Sequence, residues 1–198
     1  MCVFNGNITF TAFYYLITLT PLGSPHEMSV EGLPTAMTLI GTVLFCIICE
    51  DTVFYFVHRI LHHPSVYQYV HKMHHEYSTT TCIAAEYSHP LEYAFGVILP
   101  TALGPIILGP QMHTFTVFAW VFIRTSEGND AHCGYDFSWS PFRLLPFSGS
   151  SLYHDFHHTH NVGNYGGFFC LWDTVFGTNR DFQKYNEDRA KIEKLKAA

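Results

Sequence analysis

The sequence predicts an all-α integral membrane protein, in which transmembrane helical hairpins carry a cytosolic helical cap with a histidine-rich dimetal site. Three observations predict this class. Charged residues make up only 13% of the 198 residues, against about 25% in an average soluble protein. Long apolar stretches alternate with turn-rich segments. The chain also contains 14 histidines, most of them in three clusters.

The first part of the chain, residues 1–43, is predicted to be an N-terminal membrane hairpin region. Its apolar stretch from Ile8 to Leu22 is shorter than the ~20 residues that cross a bilayer upright, so we interpret it as half of a hairpin. A second apolar stretch begins at Thr35. If this helix continues to His62, it has about 28 residues and a length of ~42 Å, which is enough to cross the membrane and project beyond it.

A second predicted hairpin consists of the apolar stretches Tyr93–Leu108 and Phe115–Ile123, which are separated by Gly-Pro-Gln. All ten Lys and Arg residues lie at or after Arg59. The positive-inside rule therefore places the histidine-rich parts and the C-terminus in the cytosol. Because both hairpins enter and leave on the same side, they bring these parts to one face of the membrane.

The histidine clusters have spacings that suit a metal site. They are His58-x3-His62-His63, His71-x2-His74-His75 and His154-x2-His157-His158. Successive helical residues are rotated by about 100°, so the histidines of the second and third clusters each share an arc of about 100°. His63 lies about 140° from His58 on an ideal helix, and we expect the restricted backbone before Pro64 to turn its ring back.

These clusters predict two metal ions, because a single site takes three or four ligands and the clusters hold nine histidines. Cys46 and Cys49 lie inside an apolar run and are interpreted as buried thiols, not zinc ligands. Imidazole suits iron, zinc, copper and nickel alike. The membrane setting favours iron, since oxidation of an unactivated C–H bond in a lipid requires an oxidant made from dioxygen on a redox metal.

Asp51 precedes His58 by seven residues and His62 by eleven, which places all three in a stripe of about 40° on a continuous helix. Asp51 is predicted to be a ligand or a hydrogen-bond acceptor that holds an imidazole tautomer. The alternative is a solvated carboxylate at the membrane boundary.

Further motifs accompany the clusters. In chain order, the motifs are His58-Arg-x-x-His62-His63, His71-Lys-x-His74-His75-Glu76, Ala85-Glu86-Tyr87-x-His89-Pro90-Leu91-Glu92, His132-x-Gly134-Tyr135-Asp136, His154-Asp155-Phe156-His157-His158, Gly163-Asn164-Tyr165, Trp172-Asp173 and Phe176-Gly177-Thr178. Together they resemble the fatty acid hydroxylase/sterol desaturase superfamily and, within it, are most similar to the methylsterol monooxygenases. The match runs from about Leu44 to Asn186, and residues 44–186 are predicted to be a domain of this type.

The resemblance implies a monooxygenase of the endoplasmic-reticulum membrane that oxidises the C-4 methyl group of a 4-methylsterol to the carboxylate in sterol biosynthesis. It also implies two non-haem iron ions, dioxygen, and electrons from NAD(P)H through cytochrome b5 or a reductase, with other sterol-demethylation enzymes as partners. Ligand roles carry over to the nine clustered histidines, with His132 as a further ligand. His89 is expected beside the ligands or the substrate, and catalytic roles are predicted for Asp51, His89 and Asp136.

Two alternatives remain open. The first is a hydroxylase or desaturase of another sterol or of an acyl lipid, with the same diiron site. The sequence leaves the lipid open, because the apolar side chains that line a lipid pocket resemble those of membrane packing. The chain also has Val53-Phe54 and Tyr153 where methylsterol oxidases commonly have Trp-His and His. Outside the enzymes, the clusters would bind zinc in a membrane scaffold.

Residues 187–198 are predicted to form a cytosolic basic tail. The tail ends in Lys194-Leu-Lys196-Ala-Ala, which resembles the dilysine signal that retrieves endoplasmic-reticulum membrane proteins; the alternative is a lysine-rich helix end. The net charge is −6 and the basic residues are spread singly, so no nucleic-acid partner is expected.

Overall fold

The computed structural model describes residues 2, 5–7, 11 and 27–197. Within these ranges the regular structure is helical and contains no β-strand, which confirms the predicted all-α class. The predicted membrane stretch between residues 8 and 22 lies outside the described residues, except for Thr11.

The helices of the described ranges are numbered in chain order. They are α1 (Ala36–Leu61), α2 (Pro64–Tyr67), α3 (Pro90–Glu92), α4 (Leu99–Leu108), α5 (Thr114–Ala131), α6 (Ser150–His160), α7 (Leu171–Phe176) and α8 (Arg180–Ala197). A π-helical segment, Tyr93–Ile98, joins α3 to α4, and 3-10 turns lie at His74–Glu76, Cys82–Glu86, Gly109–Gln111 and Pro141–Leu144.

Helix α1 confirms the prediction of one long helix before the first histidine cluster. It begins after Thr35, whose hydroxyl accepts a hydrogen bond from the Thr38 N–H at 3.2 Å, as N-cap residues do. It contains 26 residues, or about 39 Å at 1.5 Å per residue. Two helical segments, Ala36–Leu61 and Pro90–Gln111, are long and apolar enough to cross a membrane.

Helices α1 and α4 pack closely because a glycine lies at their contact. A Cβ atom at Gly104 would lie 2.7 Å from the Cys46 Sγ and 2.9 Å from its Cα, closer than real side chains approach. Small residues allow this approach between helices. Seven buried residues around this contact form a core cluster, namely Val43, Cys46, Ile47, Met112, Val117, Trp120 and Phe168.

Helix α5 is tied to α4 by the indole of Trp120. Pro105 lies inside α4 and has no N–H to donate to the carbonyl of Thr101, four residues earlier. The Trp120 Nε1–H donates to that carbonyl oxygen at 2.8 Å. A fully buried side chain thus satisfies the group that the proline leaves free.

The second hairpin differs from its prediction in length. The first arm extends over Pro90–Gln111, and the second, α5, continues past Ile123 to Ala131 through Arg124 and Glu127. The polar end of α5 carries the chain from the apolar region to the histidines. Helix α6 is helical through the third histidine cluster as predicted.

The second histidine cluster is not the predicted α-helix. Turns lead into a 3-10 turn at His74–Glu76. The His71 ring is hydrogen-bonded to Glu92 and the His74 ring to the Tyr87 carbonyl. These contacts join the turn to residues 21 and 13 positions from the two histidines, so tertiary contacts hold the turn in place.

We expect Gly104→Ala to destabilise the protein. The added methyl group would force α1 and α4 apart, at a cost of about 1–3 kcal/mol for overpacking. The measurement is the Tm of the detergent-solubilised protein. Gly41→Ala is the matched control, because Gly41 is exposed on α1 and a Cβ there meets no atom within 4 Å. Equal Tm values for the two variants would contradict the proposed close contact.

Candidate metal centre

Nine histidines form two adjoining groups in the described part of the chain. The five-histidine group comprises His58, His62, His71, His75 and His157, and the four-histidine group comprises His74, His132, His154 and His158. Within each group, one ring nitrogen from every member lies within 4.8 Å of the others. The groups contact each other, as the His75 and His158 rings have centroids 4.6 Å apart.

The two H-x2-HH motifs are divided between the groups. His71 and His75 belong to the five-histidine group, whereas His74 belongs to the other. The motif on α6 divides in the opposite way, since His154 and His158 are in the four-histidine group and His157 is not. Neighbouring histidines thus face different groups, and each motif contributes to both.

The five-histidine group is assembled from the end of α1, the turn after α2 with the 3-10 turn that follows it, and α6. The Nε2 atoms of His71 and His62 are 2.9 Å apart, and those of His62 and His157 are 3.1 Å apart. The His75 Nε2 lies 3.0 Å from the His71 Nε2. His58 completes the group, with its ring centroid 4.6 Å from that of His157.

The four-histidine group is assembled from the 3-10 turn, the end of α5, and α6. The His132 Nε2 lies 2.9 Å from the His154 Nε2 and 3.4 Å from the His74 Nε2. The His158 Nε2 lies 3.2 Å from that of His154. All four rings are buried.

Six of the rings donate a hydrogen bond from Nδ1, and this bond fixes the orientation of the ring. The acceptors are the carbonyl oxygens of Tyr165 for His58 (2.9 Å), Gly163 for His157 (2.6 Å), Tyr87 for His74 (3.2 Å), Gly128 for His132 (2.8 Å) and Tyr77 for His158 (3.2 Å), and a Glu92 carboxylate oxygen for His71 (2.7 Å). Because these oxygens only accept, Nδ1 carries the proton and a neutral ring keeps its lone pair on Nε2.

No distribution of ring protons satisfies the contacts between the rings. The Nε2 lone pairs of His74 and His132 face each other directly. His62 lies between His71 and His157, and one proton on its Nε2 satisfies only one of them. Burial lowers the pKa of His74 to about 4 and that of His75 to about 3, so these rings are neutral at pH 7. Metal cations at the two convergence points fit this donor set.

Glu92 is a functional residue to which sequence reasoning assigned no role. Its carboxylate is buried and fixes the ring of His71. A carboxylate behind a ligating imidazole raises the basicity of the ring and orients it. The sequence contained one indication of this role: Glu92 is an acidic residue at the start of an apolar helix, and a carboxylate buried there requires a specific partner.

Two buried carboxylates hold the loop that carries the carbonyls of Gly163 and Tyr165. Asp173 accepts from the N–H groups of Tyr165 (2.9 Å) and Gly166 (2.7 Å). Asp51 accepts from the Phe169 N–H at 2.9 Å. Asp51 lies on the same helix as His58, as predicted, but it belongs to neither histidine group. Its carboxylate supports this loop and not an imidazole.

The geometry does not support His63 as a ligand. Its backbone is extended before Pro64, with φ −64° and ψ 135°, as predicted. The ring is exposed, and its Nδ1 caps α2 by accepting from the Ser65 N–H at 3.3 Å. The proline starts a new helix here, and the ring caps that helix instead of turning back toward His58.

His89 and Asp136, which were predicted to serve catalysis, also lie outside both groups. The His89 Nδ1 caps α3 by accepting from the Leu91 N–H at 3.2 Å. Asp136 is exposed and forms an ion pair with Arg143 at 3.0 Å. Neither residue lines the cavity described next.

A cavity of about 110 Å³ adjoins both groups. Five ligand candidates form part of its wall, namely His58, His71, His74, His132 and His154. The apolar part of the wall consists of Phe54, Leu61, Ala85, Gly96, Val97, Ile98 and Val121. An apolar ligand in this cavity would lie next to both histidine groups.

We expect His71→Ala to reduce the metal content of the purified protein by one ion per chain. The substitution removes a nitrogen from the five-histidine group, while the four-histidine group keeps its complete donor set. Elemental analysis gives the metal-to-protein ratio. His63→Ala is the matched control and should keep the full content, and the assignment fails if both variants lose the same amount.

Asp173→Asn should weaken metal binding without removing a ligand. The loss of one charged acceptor loosens the loop that positions His58 and His157, and such supporting contacts are typically worth about 10–100-fold in metal affinity. Competition with a chelator measures the affinity. Asp188→Asn, an exposed change on α8, serves as control; wild-type affinity in the Asp173 variant would show that the loop does not support the ligands.

The chain is similar to two kinds of curated protein. It is 40% identical to methylsterol monooxygenase 1 of Rattus norvegicus, over 96% of this chain and 60% of that protein. It is 39% identical to methylsterol monooxygenase 1 of Gallus gallus, over 84% and 55% of the two chains. It is also 41% identical to the very-long-chain aldehyde decarbonylase GL1-8 of Oryza sativa subsp. indica, over 79% and 58% of the two chains.

The chain thus spans at most about three-fifths of the length of these relatives. No solved structure matches it significantly. The family model for fatty acid hydroxylases matches residues 43–178, a range that contains all nine grouped histidines. The chain therefore belongs to the fatty acid hydroxylase family.

Proposed function

We propose that this chain is a membrane-bound diiron monooxygenase that oxidises the C-4 methyl group of a 4-methylsterol to the carboxylate. One observation carries the proposal: two adjoining groups of neutral histidines direct their Nε2 atoms to two points beside an apolar cavity. This arrangement suits a lipid C–H bond held next to a metal pair.

The proposed ligands are the five-histidine group for one iron ion and the four-histidine group for the other. Imidazole also suits zinc, copper and nickel, and the choice of iron rests on the chemistry. When bound, the iron pair would supply the dioxygen-derived oxidant that an unactivated C–H bond requires. The carbonyl and carboxylate acceptors behind the rings keep their lone pairs directed inward and limit reorganisation of the site.

The cavity wall would hold the lipid and exclude water. Phe54 and Leu61 lie on α1 and Val121 on α5, so the two helices that carry His58 and His132 also form the apolar wall. A substrate packed against them is positioned relative to the ligands by the same rigid elements. Such positioning contributes to catalysis by holding the reacting groups in place.

The choice of a sterol rests on the relatives. The match to methylsterol monooxygenase 1 of Rattus norvegicus covers nearly the whole of this chain. We propose the same reaction in sterol biosynthesis, with electrons from NAD(P)H through cytochrome b5 or a reductase and with other sterol-demethylation enzymes as partners.

The proposed location is the endoplasmic-reticulum membrane, with a multi-pass topology and with the metal site and the C-terminus in the cytosol. Two helical segments long and apolar enough to cross a bilayer support the membrane setting. Exposed apolar residues on α1, namely Met37, Ile40, Leu44 and Ile48, recur at helical spacing, as expected for a face that contacts lipid. The distribution of Lys and Arg supports the orientation.

Two other functions are compatible with the same residues. The aldehyde decarbonylase relative, with 41% identity, favours an acyl-chain substrate as the second candidate. A zinc-binding scaffold is the candidate outside the enzymes, because the donor set also suits zinc. Zinc at both sites without iron, even after anaerobic reconstitution, would favour the scaffold.

We expect the chain to restore sterol synthesis in a yeast strain that lacks its C-4 methylsterol oxidase. Because the oxidation requires both metal ions, 4,4-dimethylsterols should fall with the unmutated chain and with His63→Ala, but not with His71→Ala. The measurement is the sterol profile, together with the amount of chain in the membrane.

Since the chain is shorter than its relatives, a second version carries the N-terminal segment of a relative. An unchanged profile with both versions present in the membrane would reject the sterol reaction. In that case, analysis of acyl lipids and aldehydes in the same cells tests the second candidate.

A further inference from the structure

Two buried polar atoms on the cavity wall have no hydrogen-bond partner among the described residues. They are the Ser88 Oγ and the Glu92 Oε2. Ser88 is 2% exposed and Glu92 is 6% exposed. Leaving such groups unpaired is unfavourable, so their presence on one cavity wall calls for a partner inside the cavity.

Both atoms are held in place by contacts on their other sides. The Asn5 side-chain amide donates to the carbonyl oxygens of Glu86 (3.1 Å) and Ser88 (3.0 Å), which fixes the backbone at Ser88. The other carboxylate oxygen of Glu92 holds the ring of His71 at 2.7 Å. The segment from Ser88 to Glu92 therefore presents a rigid hydroxyl and a rigid carboxylate oxygen.

Three other polar side chains of the wall are already paired. The Thr101 hydroxyl donates to the Val97 carbonyl at 2.7 Å. The Tyr93 hydroxyl donates to Glu86 at 2.6 Å. Arg124 is bound to Glu50 on α1 and to Glu127 on its own helix, α5. The two unpaired atoms consequently differ from these three side chains.

We propose that Ser88 and Glu92 form a subsite for a hydroxyl group of the substrate. The hydroxyl would donate its proton to the Glu92 Oε2 and accept from the Ser88 Oγ–H. A hydroxyl is the group of choice here because it both donates and accepts.

The position of the subsite fits the proposed function, on which the identity of the substrate rests. A sterol carries its hydroxyl on C-3, the carbon next to C-4. Glu92 contacts His71 directly, so a hydroxyl bound to Glu92 brings the C-4 methyl group close to the five-histidine group. A lipid without a hydroxyl would leave both polar atoms unpaired and is disfavoured for that reason.

The test is equilibrium binding of two ligands to the full metal-loaded chain in detergent. The ligands are a 4,4-dimethylsterol and its 3-deoxy counterpart, and the variant is Ser88→Ala. We expect the unmutated chain to bind the hydroxylated sterol more tightly. Ser88→Ala should lose about tenfold in affinity for that sterol, and its affinity for the deoxy compound should not change.

Thr101→Val is the matched control, since this hydroxyl lies on the same wall but is already paired. It should leave the preference for the hydroxylated sterol intact. Metal content and Tm of each variant show that the site and the fold are retained.

The proposal is overturned if the unmutated chain binds both sterols equally, if it binds neither, or if Ser88→Ala weakens both to the same extent. The outcome is separate from that of the oxidase test. Selective binding without C-4 oxidation would retain the subsite and reject the proposed reaction, whereas oxidation with equal binding would do the reverse.

Discussion

Nine imidazoles, seven of them buried and two half-buried, direct ring nitrogens at two adjacent points, and the rest of the structure is arranged to hold them there. Such an arrangement is unfavourable without cations, since lone pairs such as those of His74 and His132 oppose each other at 3.4 Å. The protein nevertheless fixes six of these rings by hydrogen bonds that their Nδ1–H groups donate. This preorganisation means that metal binding requires little movement of the ligands, and that the free energy of binding would add to the stability of the fold.

Several supports of the site lie far in sequence from the residues that they hold. The loop after α6 provides carbonyls for His58 and His157, and Asp173 and Asp51 in turn hold that loop. Helix α1 enters this network through Asp51 and His58, and it packs closely against α4, which the small size of Gly104 permits. The apolar packing and the polar site are therefore coupled, because the helices that form the core also carry the ligands at their ends.

Histidine has two different uses in this chain. His63, His89 and His113 each precede a helix and cap it by accepting from the N–H two residues later. Six of the nine grouped histidines instead donate through Nδ1, and their Nε2 atoms are directed into the two groups. The difference is conformational: a capping residue needs extended backbone before the first helical residue, which Pro64 and Pro90 impose on the histidines before them.

The sequence by itself determined the helical class, the long helix that leads into the first cluster, and eight of the nine clustered histidines, together with His132, as residues that the structure brings into the two groups. These features are local, since they depend on apolar stretches and on motif spacing. Only the tertiary structure decided which histidine joins which group, because His74 and His75 are neighbours in the chain but face different groups. It also excluded His63 from the groups, showed that Asp51 braces a loop, and assigned Glu92 to His71. The contacts of Asp51 with Phe169 and of Glu92 with His71 join residues far apart in the chain, and such contacts leave no regular spacing from which they can be predicted.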